Sequence, residues 1–220
     1  MKLTDRPDQP SRLFNKYVPD DIQQAMLEAV GIGVEEARKT CEAAGYDESE
    51  FHDVFPHVRR AHVQRELRAL APQSNGQLRA TARKNKRKTS YHSVLVRGPV
   101  IFTESWVSTH DTIVRSAEFR KTYADTSQMI LFPEVKDDDL SQIKRKLYAI
   151  LIYGPSDSKR FPIGFVHIVF PSRDASTYLG RIDLCKKFPG VIGNEEVQEE
   201  RIPDAATPKL RTNRRKVEGQ

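Results

Sequence analysis

The stretch Leu147-Tyr-Ala-Ile-Leu-Ile-Tyr153 and the stretch Ile163-Gly-Phe-Val-His-Ile-Val-Phe170 are two nearly continuous apolar runs. Both are rich in Ile, Val, Phe and Tyr and are bounded by Gly and Pro, which is typical of buried strands. The loop between them is too short for a parallel crossover, so the two strands are predicted to pair antiparallel. A third run, Thr177-Tyr-Leu-Gly-Arg-Ile-Asp-Leu-Cys185, alternates as a strand with one less buried face does. Together the three runs predict an antiparallel meander at the centre of the fold.

The first third of the chain predicts helices. Apolar residues recur at helical spacing over residues 20–30, 34–44 and 51–70. Gly31-Ile-Gly33 is predicted to break the first helix from the second. Two helices around a glycine turn are also the layout of a helix-turn-helix motif. The second helix is rich in glutamate, however, which disfavours a groove-reading helix and favours an ordinary helical hairpin.

These patterns predict an α+β protein with a mostly antiparallel sheet. A flexible N-terminus (1–14) precedes a helical N-terminal part (15–71), and Pro72-Gln-Ser-Asn-Gly76 is the predicted boundary to an α+β sheet domain (77–193). The last segment, 194–220, is acidic first and basic last and has few apolar residues, so it is predicted to be a disordered charged tail.

Shorter elements are predicted inside the sheet domain. Two β-type runs flank Arg97-Gly98-Pro99 and form either a hairpin or one bent strand. Trp106 is expected to pack against them, and Asp111 is expected to cap a helix that runs to about Tyr123. Residues 129–132 predict a strand, and residues 140–146 predict a short helix after three aspartates.

Composition limits the class of protein. The chain has 220 residues, a formal net charge of +6 and a pI of about 9.3, which is compatible with an anionic partner. Its two cysteines, Cys41 and Cys185, form no CxxC or Cys/His cluster, so no metal site is predicted and reduced thiols in the cytoplasm are expected. No apolar run approaches the roughly 20 residues that span a bilayer, so no membrane partner is expected. Because no nucleotide-loop, zinc-protease or hydrolase motif is present, no cofactor is predicted.

The densest charge run of the chain follows the predicted boundary. It contains six basic residues and no acid, namely Arg79, Arg83, Lys84, Lys86, Arg87 and Lys88. Such a run needs either solvent or phosphate around it, so it is either a hydrated hairpin tip or a grip on a nucleic-acid backbone. Arg59 and Arg60, on the outer face of the third predicted helix, are expected to support the same contact.

The leading functional hypothesis is therefore a non-enzymatic cytoplasmic accessory protein that binds nucleic acid through backbone phosphates. One alternative is a protein–protein interaction module of a multi-component system. In that case the helical part and the tail would be the docking surfaces.

A second alternative comes from Glu134-Val-Lys136, which follows the predicted strand 129–132. This triplet resembles the ExK half of the PD-(D/E)XK nuclease signature. The resemblance implies a divalent metal held by acids, which activates water, and a lysine that stabilises the charge developing on the phosphate. The family also needs an acid on the preceding strand, for which Asp111 and Glu104 are candidates. Pro133 departs from the family's continuous strand.

His167 lies in the middle of an apolar strand and needs a hydrogen-bond partner if it is buried. Asp183, on the neighbouring predicted strand, could supply one. A histidine–carboxylate pair is compatible with acid–base catalysis, but a satisfied core histidine is the preferred interpretation.

Overall fold

A computed structural model of the chain describes residues 8–85, 88–127, 146–156 and 163–192. The elements follow in the order α1 (Gln9–Tyr17), α2 (Asp20–Ala43), α3 (Glu48–Gln73), β1 (Arg79–Lys84), β2 (Tyr91–Arg97), β3 (Val100–Trp106), α4 (Glu118–Ser127), β4 (Leu147–Gly154), β5 (Phe165–Pro171), β6 (Tyr178–Asp183) and α5 (Leu184–Lys187). Among the described helices, none is long and apolar enough to cross a membrane.

The six strands form one sheet in the order β1-β2-β3-β4-β5-β6. All neighbours pair antiparallel except β3 and β4, which are parallel and are joined by the segment that contains α4. The predicted meander is confirmed as β4, β5 and β6, and every residue of β4 and β5 is buried because these strands are central. The α+β class and the mostly antiparallel sheet are likewise confirmed.

The sheet has a hydrophobic cluster on each face. On one face, α1, α2 and α3 contribute Phe14, Met26 and Leu67 to a core that includes Phe102 and Phe170 of the sheet. On the other face, the 107–124 segment covers a smaller cluster, whose buried members are Val94, Ile101, Val107, Val114, Ala124, Tyr148, Ile150, Ile152, Phe165 and Val169. The sheet is thus covered on both sides, and helix α3 and helix α4 lie on opposite faces.

Helix α2 does not break at Gly31-Ile-Gly33, so the prediction of two helices over 20–30 and 34–44 was wrong. Tertiary packing explains the glycine at position 33. A Cβ placed on Gly33 would lie 2.6 Å from the Cα of Val63 on α3, so only glycine lets the two helix backbones approach this closely. The residue serves a helix–helix contact and does not end the helix.

The N-terminal prediction was wrong for residues 9–14, because α1 already begins at Gln9. Asp8 caps this helix by accepting a hydrogen bond from the Ser11 amide at 2.7 Å. Phe14 is fully buried and packs edge-on against Phe102 and Phe170. A polar segment is therefore held to the body mainly by two apolar side chains, Leu13 and Phe14.

Asp111 does not cap a helix, and α4 begins only at Glu118. The hydroxyl of Tyr178 accepts a hydrogen bond from the Val114 amide and donates one to the Thr112 carbonyl, at 2.9 and 3.0 Å. Backbone groups that a helix would use are thereby satisfied in an irregular segment. Asp111 instead pairs with Arg181 at 2.9 Å. The predicted strand 129–132, the charged tail 194–220 and all but Lys146 of the predicted helix 140–146 lie outside the described residues.

The close contact between α2 and α3 gives a test of this packing. We expect Gly33→Ala to lower the free energy of unfolding by about 1–3 kcal/mol, because the new methyl group meets backbone atoms of Val63 that cannot move aside. Urea unfolding monitored by circular dichroism measures this change.

Gly31→Ala is the matched control in the same helix. Its Cβ would lie 3.7 Å from the nearest atom of Ile192, an ordinary contact, so the better helix propensity of alanine should raise stability by up to about 1 kcal/mol. Equal effects of the two substitutions would contradict the proposed role of Gly33.

Candidate functional site

A polar pocket lies where β2 and β3 move apart. Its volume is about 650 Å³. It is lined by side chains from α3, from the β1–β2 hairpin, from the end of β3, from residues 115–120 and from β4, among them Arg59, Arg60, His92, Glu104, Trp106 and Arg120. Most of the lining side chains are polar or charged, and the pocket opens to solvent past exposed residues such as Arg60 and Arg115.

The pocket exists because the β2–β3 ladder stops early. Pairing runs from Arg97–Val100 to Leu95–Phe102, and continuing this register would set Ser93 opposite Glu104. Both side chains instead bond to α3: Arg68 donates to Ser93 Oγ at 2.6 Å, and Gln64 Nε2 donates to Glu104 Oε1 at 2.6 Å. Helix α3 therefore bonds to side chains of both strands just beyond the last pair of the β2–β3 ladder.

Arg59 is the most enclosed cation of the pocket among the described residues, being only 7% exposed. Its guanidinium carbon lies 3.4 Å from the centroid of the Trp106 ring, a cation–π contact. Burial lowers the pKa of Arg59, and the nearby Tyr153 and Glu104 partly oppose that effect. The Nε atom of Arg59 has no hydrogen-bond partner in the described chain. The sequence predicts Arg59 on a solvated helix face, whereas the structure buries it in the pocket.

Arg120 approaches from the opposite face of the sheet, in the first turn of α4. Its guanidinium donates to the Arg115 carbonyl at 2.9 Å and to Ser105 Oγ at 3.3 Å. Burial lowers the pKa of Arg120, while its Nε atom remains buried without a partner in the described part of the chain. Two desolvated guanidinium groups, from α3 and from α4, thus line the same space.

Glu104 is the buried carboxylate beside these guanidinium groups, and it is 5% exposed. Besides the bond from Gln64, its Oε1 lies 4.0 Å from Arg60 Nε, at the outer limit of an ion pair. Tyr153 is fully buried and also lines the pocket. Burial, followed by the charge of Glu104, raises the pKa of Tyr153 well above its usual value, so its hydroxyl stays protonated. No hydrogen bond of good geometry reaches that hydroxyl within the described ranges.

His92 and Phe119 form a stacked pair on the pocket wall, with ring centroids 3.9 Å apart. Burial lowers the pKa of His92, and the charges of Arg120, Arg60 and Arg83 lower it further, so the ring is neutral near pH 7. Neither ring nitrogen of His92 has a partner in the residues that the structure describes. Arginines from three different elements, α4, α3 and β1, thus act on His92.

The pocket is electropositive. In the described chain, four arginines line it, Arg59, Arg60, Arg115 and Arg120, against two carboxylates, Glu104 and Glu118, which leaves a formal charge of +2 while His92 is neutral. Buried cations normally have an anionic partner, because removing a charge from water is costly. Guanidinium groups present flat sets of N–H donors that match carboxylate and phosphate oxygens. The arrangement is therefore suited chemically to holding an anion.

The structure brings part of the predicted basic set to this pocket. Arg60 lines it and donates to the Tyr91 carbonyl at 2.8 Å, which connects α3 to the β1–β2 hairpin. Arg83 and Lys84 belong to the exposed edge strand β1, and Arg83 reaches Tyr123 of α4 at 3.2 Å. Arg79 is exposed at the opposite end of β1.

The basic run is divided between a strand and a hairpin end. Arg79, Arg83 and Lys84 lie within β1, whereas Lys88 is exposed and adopts a positive φ of 58° in the turn between β1 and β2. Lys86 and Arg87 lie outside the described residues. The first half of the run is thus a strand, and of its second half the structure describes only Lys88, in the turn.

Sequence reasoning missed most of the pocket. Ser105, Arg115, Phe119 and Arg120 come from two separate segments and share no periodicity or motif. The one available signal was that Arg115 and Arg120 flank Phe119 in one short segment, a pattern that is too common in a basic chain to be informative.

The predicted pairing of His167 with Asp183 is confirmed as a contact. The two residues face each other in the β5–β6 ladder, and Nε2 of His167 lies 3.4 Å from Oδ2 of Asp183. Burial acts to raise the pKa of Asp183, but hydrogen bonds from His167 and from the Lys186 amide outweigh it and lower the pKa. His110 lies 6.0 Å from His167, ring to ring.

The two residues of the nuclease alternative, Glu134 and Lys136, lie outside the described residues. Of the two candidate acids for that signature, Glu104 is bonded to Gln64 and Asp111 to Arg181. Within the ranges that the structure describes, no group of three His, Cys, Asp or Glu side chains could hold a metal ion.

In comparisons with protein-family models, with curated proteins and with solved structures, the chain has no match.

The electrostatics of the pocket can be tested by a double-mutant cycle. We expect Glu104→Gln to lower the free energy of unfolding by about 1–3 kcal/mol, because the desolvated arginines lose the carboxylate that compensates them. Arg59→Met should also destabilise, and the double variant should differ from the sum of the two by more than about 0.5 kcal/mol. Urea unfolding of the three variants gives the coupling energy.

Glu42→Gln is the control for this cycle, since Glu42 pairs with Arg38 on the exposed face of α2. That substitution should change stability by less than about 0.5 kcal/mol. Additive effects of Glu104→Gln and Arg59→Met would show that the two charges do not interact.

Proposed function

We propose that this protein binds nucleic acid through contacts to backbone phosphates. The observation that carries the proposal is the continuity of two basic features. The exposed basic strand β1 and its hairpin adjoin the arginine-lined pocket, since Asn85 and Ser90 of the hairpin line that pocket together with Arg59 and Arg60.

The first support is the exposure of the β1 edge. Arg83, Lys84 and Lys88 are exposed, and no acidic residue occurs between Arg79 and Lys88. Because β1 is the first strand of the sheet, its outer edge has no neighbouring strand among those described. A row of basic side chains on an edge strand discourages strand-to-strand aggregation, and it also presents several cations to a polyanion.

The second support is the field around the pocket. Arg60, Arg83 and Arg120 act together on the pKa of His92, so the positive potential extends from the strand into the cavity. Arg60 and Arg83 are anchored by hydrogen bonds to Tyr91 and Tyr123, which reduces the side-chain entropy lost on binding a phosphate. Contacts of this type position a nucleic acid without reading its bases.

The proposal is for a binding role, as a cytoplasmic accessory protein. Both cysteines are free thiols, and burial raises the pKa of Cys185 to about 11, so this thiol is unreactive at neutral pH. Unpaired thiols support a reducing compartment.

Changing Arg83, Lys84, Lys86 and Arg87 together to Ser should weaken binding to every duplex by a similar factor, whatever its sequence. Phosphate contacts carry affinity and no base information, so the weakening should be independent of sequence. Removing each phosphate contact should also flatten the slope of log K against log salt by about 0.9. Fluorescence anisotropy with two duplexes of different sequence, over a range of salt concentrations, measures both effects.

The charge-matched control replaces four exposed basic residues elsewhere, Arg12, Lys16, Lys39 and Arg173, by Ser. This variant has the same net charge as the hairpin variant, so it should keep most of the affinity if the β1 hairpin is the contact surface. Absence of duplex and single-strand binding at about 50 mM salt, where phosphate contacts are strong, would refute the proposal and favour the protein-partner alternative.

A further inference from the structure

We propose that the pocket between β2 and β3 binds a phosphate monoester, either on a free nucleotide or at the end of a nucleic-acid strand. The strand-end source rests on the proposed function, whereas the free nucleotide does not. The pocket holds the phosphate monoester, and the exposed strand β1 contacts backbone phosphates separately.

Unpaired polar groups inside the pocket point to a ligand. Nε of Arg59, Nε of Arg120 and both ring nitrogens of His92 are buried without hydrogen-bond partners in the described part of the chain. Buried polar groups in proteins are nearly always hydrogen-bonded, and exceptions call for an explanation. Three such side chains around one cavity are explained together if a ligand rich in acceptor oxygens accepts from both Nε–H groups and from the one N–H of the neutral His92 ring. Phosphate oxygens accept hydrogen bonds from donors of these kinds.

Charge selects a monoester over a backbone diester. The described lining side chains leave a formal charge of +2. A phosphate monoester carries about −1.5 to −2 at pH 7, which nearly cancels that charge. A backbone phosphodiester carries a single negative charge and would leave the arginines partly uncompensated. Arg60 and Arg115 are exposed and hydrated, so the charge that most needs compensation is that of the desolvated Arg59 and Arg120.

The pocket is preorganised for an anion. Trp106 lies against the guanidinium of Arg59, while Ser105 and the Arg115 carbonyl hold that of Arg120. Donors that are already fixed lose little entropy when a ligand arrives. The volume of about 650 Å³ lies in the usual range for small-molecule sites and can admit a nucleotide as well as its phosphate.

Glu104 affects folding and phosphate binding in opposite directions. As a buried carboxylate beside Arg60, it competes with an incoming anion for the same cations. Glu104→Gln should therefore strengthen phosphate binding even though it weakens the fold. A purely structural role for the arginine cluster predicts no gain in affinity.

The experiment uses Trp106, the chain's single tryptophan, as a reporter inside the pocket. Fluorescence of the full chain is titrated with inorganic phosphate, with AMP and with adenosine, at constant ionic strength. We expect saturable changes with phosphate and AMP and none with adenosine. Absence of a saturable change with phosphate and AMP up to about 10 mM, beyond the usual range of specific small-ligand sites, would overturn the inference.

Variants then locate the site. Arg120→Gln should weaken AMP binding roughly tenfold to a hundredfold, as expected when a charged hydrogen-bond donor is removed. Arg115→Gln, at an exposed residue on the pocket rim, should also weaken it and does not endanger folding. Arg65→Gln, an exposed change on α3 outside the pocket, is the matched control and should leave AMP binding unchanged. Equal affinities for all three variants would place the phosphate elsewhere and overturn the assignment.

Single-stranded oligonucleotides of one sequence, with a 5′-phosphate, a 3′-phosphate or hydroxyl ends, distinguish the two sources. Tighter binding of a phosphorylated strand, abolished in Arg120→Gln and kept in the double variant Arg83→Ser with Lys84→Ser, assigns the pocket to strand ends. Binding of AMP without any advantage for a phosphorylated strand assigns it to free nucleotides. If AMP binds and no oligonucleotide does, the proposed function fails while the pocket assignment stands. If oligonucleotides bind without regard to end phosphates, and phosphate and AMP do not bind, the pocket assignment fails while the proposed function stands.

Discussion

The hydrogen bond from Gln64 to Glu104 joins helix α3 to strand β3 at the point where the sheet divides. With the bond from Arg68 to Ser93, it connects α3 to both strands just beyond the last pair of the β2–β3 ladder. Helix α3 thus forms one wall of the pocket at the end of the ladder.

The position of α3 depends in turn on its contact with α2. At Gly33 the two helix backbones come so close that no side chain fits between them. This approach sets α3 against the sheet, with Val63 and Leu67 in the core and Arg59 and Arg60 one or two turns earlier, at the pocket. A missing side chain on one helix therefore determines where the arginines of the next helix lie.

Burial of the arginines is the unfavourable part of this arrangement. Desolvation lowers the pKa of both Arg59 and Arg120, so each guanidinium is less stable as a cation inside the pocket than in water. Trp106, Glu104 and Tyr153 offset part of this penalty for Arg59. Protein sites that bind anions tightly often retain such a penalty, because the ligand removes it on arrival.

The sequence by itself determined the central strands and the class of fold. The runs 147–153 and 163–170 are apolar on both faces, and only a strand covered on both sides satisfies such a pattern. It also predicted exposure of the basic run, which the structure shows for Arg79, Arg83, Lys84 and Lys88, since consecutive cations cannot be buried together. The pairing of His167 with Asp183 followed because neighbouring strands in a meander have few registers available.

Only the tertiary structure decided the rest. Local patterns indicated a helix break at Gly31-Ile-Gly33 and a helix cap at Asp111, and both predictions were wrong. Gly33 is required by the close approach of Val63 on the next helix. The hydroxyl of Tyr178 satisfies backbone groups after Asp111 that a helix would otherwise satisfy. The pocket was invisible for the same reason. Its charges come from α3, β3 and α4, and their proximity results from a ladder that ends early, which no periodicity along the chain records.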